Sequence, residues 1–147
     1  MINHIVIGTD GSETADRAVE QAVELARRFG ANLAVVSAYK PVSATKQREV
    51  AGEHLPGDLR HGVGPRDQVN LVIAAAAEKA AAVGVDVQPV AIEGDAVTAI
   101  LDTAEKLNAD LIVVGNKGMS GARRMLGSVP NNISHNAPCS VFIVNTA

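Results

Sequence analysis

The chain has 147 residues, within the usual span of one domain, and 47% of them are hydrophobic, enough for a core. Only Phe29, Tyr39 and Phe142 are aromatic, so Val, Ile, Leu and Ala must build the interior, and stacking platforms for nucleic-acid bases are scarce. A net charge of −3 argues neither for nucleic acid nor for an anionic membrane surface, and no apolar run approaches membrane-spanning length.

His4-Ile-Val-Ile-Gly-Thr9 is an apolar run that reads as a first strand, and Asp10-Gly11-Ser12 turns the chain. Ala15, Ala18, Val19, Ala22, Val23, Ala26 and Phe29 then recur at helical spacing. Ser12 or Thr14 can cap that helix, and Gly30 stops it. Leu33-Ala-Val-Val36 is a second strand reaching Tyr39. From Lys40 to Gly64 no period is legible, and a connection of that length is expected to be either a flap over a ligand or disordered. Regularity resumes at Pro65 with a helix marked by Val69, Val72, Ile73, Ala76 and Ala80, ending at Gly84. Val85, Val87, Val90 and Ile92 predict a third strand, and Pro89, unable to donate to a ladder, puts it at a sheet edge. Asp95 caps a third helix on Val97, Ile100, Leu101 and Ala104, which Asn108 can end. Leu111-Ile-Val-Val114 is a fourth strand, a helix follows from about Pro130 to Ala137, and Ser140-Val-Phe-Ile-Val144 is a terminal strand.

Between the fourth strand and that last helix lie four glycines: Gly115, Gly118, Gly121 and Gly127. Glycine lets a backbone approach a ligand closely, and Ser128 before Val129-Pro130 reads as a helix N-cap. A strand, a glycine-rich loop and a helix N-terminus in that order suit an anion such as phosphate, here that of a nucleotide. All sixteen acidic residues lie at or before Asp110, whereas Lys117, Arg123 and Arg124 follow it, consistent with solvated surface or with an electropositive mouth. Strand–helix alternation implies one α/β domain with a parallel sheet and helices on both faces. If the first and fourth strands are neighbours, Asp10 and the Gly115 loop flank one crevice beyond the strand ends.

Cys139 is alone, so no intrachain disulfide forms. His135 stands four positions before it, but zinc wants three or four protein ligands, so no metal site is expected there. The N-terminal residues carry no signal-peptide h-region, and the cytoplasm is the expected location.

Ile-Val-Ile-Gly8-Thr9-Asp10-Gly-Ser12 resembles the opening of the universal stress proteins. Val-Val-Gly115-Asn116-Lys-Gly118 through Leu-Gly127-Ser128-Val129-Pro resembles that family's ATP-binding signature. The resemblance spans the chain apart from Lys40–Gly64, with one departure: eight residues, Met119 to Leu126, separate the second and third glycines, one fewer than is usual in the family. It implies a single Rossmann-like domain over 1–147, of the adenine nucleotide alpha hydrolase-like kind, with a five-stranded sheet in the order 3-2-1-4-5. By position it implies that Asp10 bonds the ribose or adenine end of a nucleotide, beside Gly8 and Thr9, with Ala38 by the adenine. Val114 and Gly115 would approach the ribose, and Gly118, Gly127, Ser128 and Val129 would offer backbone N–H groups to phosphates. Asn116 could bond phosphate or ribose.

The function expected is that of a small soluble ATP-binding protein, a stress-response regulator or sensor that works by changing state or partners. Cyclic AMP is the alternative ligand, since a tighter loop disfavours a triphosphate tail. Asp10 could hold a magnesium ion with ATP. A slow ATPase or phosphotransferase is the rival reading; against it, neither a GxxxxGK[ST] loop nor a Ser-His-Asp arrangement is legible. Ser140–Val144, apolar and uncharged, would be an edge strand that invites pairing, and the resemblance implies a homodimer through it.

Overall fold

The computed structural model describes residues 1–41, 64–116 and 126–146. Within them the apolar runs become strands β1 (His4–Gly8), β2 (Asn32–Tyr39), β3 (Val87–Glu93), β4 (Leu111–Gly115) and β5 (Ser140–Val144). Every pairing is parallel, and the sheet order is β3-β2-β1-β4-β5, as expected. Helices α1 (Glu13–Phe29), α2 (Pro65–Ala81), α3 (Ala96–Lys106) and α4 (Ser128–Asn136) alternate with the strands.

Successive side chains along a strand point to opposite faces, and here both faces are buried. Ile5, Ile7, Leu33, Val35, Leu111 and Val113 form one core with α1 and α2. Val6, Ala34, Val36, Ile112 and Val114 form the other with α3 and α4. Burying each of the larger side chains contributes about 1.5–3 kcal/mol. Ala18, Ala22 and Ala26 line the buried side of α1, so this helix can lie close on the sheet. Phe29 and Phe142 stay 47% and 42% exposed, leaving a core as aliphatic as the composition requires.

Ser12 caps α1, its Oγ accepting from the Ala15 N–H at 3.2 Å, and Gly30 ends it at φ 64°. Pro65 sits in the first turn of α2, which stops at Ala81, a turn short of Gly84. Asp95 caps α3 by accepting from the Thr98 N–H at 2.9 Å, and Asn108 follows that helix with a φ of 50°. Val85 falls before β3 and is buried in the core there, because its N–H is drawn back to the Ala80 carbonyl.

Pro89 does lie on an edge strand, opposite Val35. The Gly94 N–H donates to the Tyr39 carbonyl, and amides alternate along a parallel strand. Even-numbered amides of β3 therefore face β2, and the N–H that Pro89 lacks belongs to the open side. Among the described residues no helix is long and apolar enough to cross a membrane.

The starts of β1 and β4 are joined by Asp110, whose Oδ2 accepts from the N–H groups of Asn3 and His4 at 2.8 and 2.9 Å. These bonds hold its carboxyl below the ordinary carboxylate value, as the bond from Thr98 does for Asp95. Arg27 and Arg28 bring Glu24 on α1 down to about 2. A carboxylate with a depressed folded pKa stabilises the fold above its unfolded value, about 4, and that contribution fades as pH falls through the folded value. Urea midpoints should therefore be flat from about pH 7 to 5 and fall below about pH 4. Asp110→Asn should lower the midpoint at neutral pH and flatten the acid limb; an unchanged acid limb would show that Asp110 contributes nothing to it.

Candidate functional site

From β1 the chain runs outward to β2 and β3, then returns past β1 to lay down β4 and β5. The first two connections carry helices on one face, and the later two carry helices on the other. A crevice is left beyond the carboxyl ends of β1 and β4, where the strand order reverses. A cavity of about 190 Å³ occupies it. Gly8, Thr9 and Asp10 come to it from β1 and its turn, Val36 and Ala38 from β2, and Val114 and Gly115 from β4. Thr14 and Ala15 of α1, Ala96 and Ile100 of α3, and Val129 and Pro130 of α4 complete the walls.

The turn after β1 is locked by its own side chains. Thr9 Oγ1 accepts from the Gly11 N–H at 3.1 Å, and Asp10 Oδ1 accepts from the Ser12 N–H at 2.9 Å. Such short-range bonds are why Thr, Asp and Ser favour turns. Gly11 has a φ of 79°, and a Cβ there would lie 2.7 Å from Val72 of α2, so the position demands glycine twice over. The buried Ser37 hydroxyl donates to the Thr9 carbonyl at 2.7 Å, fastening the end of β2 to this turn. Asp10 itself is exposed, at the rim. It is the one carboxylate among the described cavity-lining residues.

Gly8 is glycine for a packing reason. A Cβ there would stand 2.3 Å from Ile100 Cδ1, so α3 fills the space that a side chain on β1 would take. Asn116 directly follows the end of β4. It is 3% exposed and absent from the cavity wall. Its Oδ1 accepts from Thr146, and its Nδ2 donates to Asn145. Its side chain is thus bonded to the C-terminal tail.

Gly127, not Ser128, is the N-cap of α4, and no side chain caps this helix. Ser128 is its first residue, exposed, and Pro130 comes third. Pro is tolerated there because first-turn N–H groups lack intrahelical partners. The N–H groups of Ser128 and Val129 are two such donors at the positive end of the helix dipole. Gly118, Lys117, Arg123 and Arg124 lie outside the described residues, as does 42–63 of the expected flap. Cys139 is half-buried, and burial together with Asp110 pushes its thiol up, which disfavours a reactive thiolate.

The model of the Universal stress protein family matches residues 1–145. The chain belongs to the universal stress protein family. A universal stress protein of Mycobacterium tuberculosis is 36% identical over 144 residues, spanning 97% of this chain and 95% of its own length. One from Bacillus subtilis, YxiE, is 31% identical over 150 residues, spanning 98% of this chain and 99% of its own. Among solved structures, a universal stress protein in complex with cAMP superposes with a TM-score of 0.74 at 33% identity, covering 99% of both chains.

Of the site residues expected in this universal stress protein, Gly8, Thr9, Asp10, Ala38, Val114, Gly115 and Val129 come together on one cavity. Gly127 and Ser128 lie beside it at the start of α4 without lining it, and Asn116 faces the tail. Sequence reasoning missed Thr14, Ala15, Val36, Ala96, Ile100 and Pro130 as wall residues. Ala96 opens the helix that Asp95 caps, and that capping signal, placed after a strand, could have pointed to the strand-end crevice.

The contact between Gly8 and Ile100 is directly testable. Gly8→Ala should destabilise by about 1–3 kcal/mol through overpacking. Ile100→Val, which removes the Cδ1 in the way, should recover part of that loss in the double variant, measured by urea unfolding. Simple additivity of the two losses would show that Ile100 does not occupy the Gly8 space.

Proposed function

We propose that this universal stress protein binds an adenine nucleotide in the cavity between β1 and β4. It acts in the cytoplasm, in stress response, by changing state or partners on binding. The observation that carries this reading is the cavity itself: an apolar slot at the strand-order reversal, with polar groups at its Thr9–Asp10 edge and a helix N-terminus beside it. Val36, Ala38, Ile100 and Val114 offer flat, aliphatic walls suited to a base. The volume of about 190 Å³ is small for a whole ligand pocket, matching a nucleoside whose phosphates extend outside. In this reading Asp10 bonds the ribose or adenine end, and the Ser128 and Val129 N–H groups meet phosphate, which a helix N-terminus favours.

ATP is the first ligand, on the glycine signature from Gly115 to Ser128. Cyclic AMP is a second reading, favoured by two observations: the 33%-identical relative in complex with cAMP, and the eight residues between Gly118 and Gly127. ATP would bring magnesium, with Asp10 the carboxylate suited to it. The protein would act as a homodimer paired through β5. This strand has one open edge, carries no charge and exposes Phe142, a combination that invites pairing with another chain.

One experiment addresses both parts. Protein stripped of nucleotide is titrated calorimetrically with ATP, ADP and cAMP, beside sedimentation velocity at the same micromolar concentration. The expected result is saturable binding of at least one adenine nucleotide, weakened about three- to ten-fold by Gly127→Ala or Ser128→Ala, and a dimer. ATP tighter than cAMP supports the first ligand, and the reverse order supports the second. No binding of any of the three contradicts the nucleotide reading, and a monomer contradicts pairing through β5.

A further inference from the structure

The chain does not fray where β5 ends. Thr146, two residues beyond the strand, is 4% exposed. Its N–H and its hydroxyl both donate to Asn116 Oδ1, at 3.0 and 2.7 Å. Asn116 in turn donates from Nδ2 to Asn145 Oδ1 at 3.2 Å and from its backbone N–H to the Val144 carbonyl at 2.9 Å. Arg17 of α1 donates through Nη1 to the Thr146 carbonyl. Residues 145 and 146 are thus tied on two sides, to the exit of β4 and to α1.

The ties converge on one corner of the cavity. Asn116 directly follows Gly115, whose absent Cβ would lie 3.3 Å from Thr146 Cγ2 and 3.6 Å from Ala18 Cβ of α1. Gly115 lines the cavity, and so do Thr14 and Ala15 on the first turn of the helix that carries Arg17. Thr146 is not in the wall. It stands behind it, bonded on one side to the exit of β4 and on the other to α1.

We propose that Thr146 is a positioning residue for the nucleotide cavity: the tail 145–146 fixes Gly115 and Asn116 against α1, and so sets nucleotide affinity without touching the nucleotide. The proposal rests on the nucleotide reading above. Its physical basis is the buried carboxamide of Asn116. Among the described residues that oxygen has two donors, both from Thr146; removing the hydroxyl leaves it with one and loosens the hold of the tail on Asn116 and on Gly115 next to it. A side chain that only sealed the core would depend on its methyl group, whereas a positioning role depends on its hydroxyl.

The test uses the full chain with Thr146→Val, which keeps the shape and removes the donor, and Thr146→Ser, which keeps the donor. Affinity for ATP and cAMP is measured by calorimetry where all variants are folded, and amide exchange at Gly115 and Asn116 is followed by NMR without ligand. Thr146→Val should weaken binding about five-fold and speed exchange at Asn116, and Thr146→Ser should restore both to within about two-fold of the natural chain. Unchanged affinity or unchanged exchange in the Val variant overturns the proposal, and so does a Ser variant that behaves like Val. Should Thr146→Val fail to fold, Arg17→Ala carries the test, with smaller effects in the same direction expected and their absence contradictory. If the natural chain binds no adenine nucleotide, the nucleotide reading fails and the affinity claim with it, whereas unchanged exchange in a chain that does bind overturns the positioning claim alone.

Discussion

The constraint on which the rest of this structure depends is the reversal of strand order at β1. A parallel sheet buried on both faces needs helices on both, and a chain that winds outward to β3 must return across β1 to lay down β4. Connections leave β1 and β4 toward opposite faces, so among the described residues no helix covers the space beyond their carboxyl ends. The cavity follows from topology before any particular side chain is considered. What the side chains decide is its lining: Gly8 keeps β1 thin against Ile100, and Ala38 and Val114 keep the walls aliphatic.

Two kinds of interaction divide the work around that cavity. The sheet is held by aliphatic burial, at about 1.5–3 kcal/mol for each large side chain. Hydrogen bonds at the rim contribute less each, roughly 0.5–1.5 kcal/mol net, and their value is positional. Thr9, Asp10 and Ser12 fix the turn after β1, Ser37 fastens β2 to it, and Asn116 fastens β4 to the tail. Surface pairs such as Arg27 and Arg28 with Glu24 sit far from this and, being exposed and screened, matter little for either role. Among the described residues no buried side-chain polar atom at this corner lacks a hydrogen-bond partner.

Much of this was legible in the residues. Helical spacing in Ala18, Val19, Ala22 and Val23, the apolar run Leu111–Val114, and the Ser12 and Asp95 caps each encode local structure that tertiary contacts then agree with. The sheet order was not readable from local pattern; only Pro89 hinted at an edge, and family resemblance supplied the rest. The wall residues missed, among them Ile100 and Pro130, belong to helices that reach the cavity through packing, which periodicity cannot report. The link between Asn116 and Thr146 was hidden for a related reason: the two are thirty positions apart, and local pattern does not pair residues at that distance. Ser128 misled by a single residue, because helix ends shift by one or two positions against any cap signal.

An adenine nucleotide bound in the strand-reversal cavity would perturb the backbone amides around it. Amide chemical shifts recorded while ATP, and separately cAMP, is added to labelled protein test that placement most directly. Saturable shifts are expected at Gly8 to Ser12, Ala38, Val114, Gly115, Ser128 and Val129, with the strand starts at His4 and Asn32 unmoved. Shifts confined to those strand starts, or to the open edge of β3, would contradict that placement.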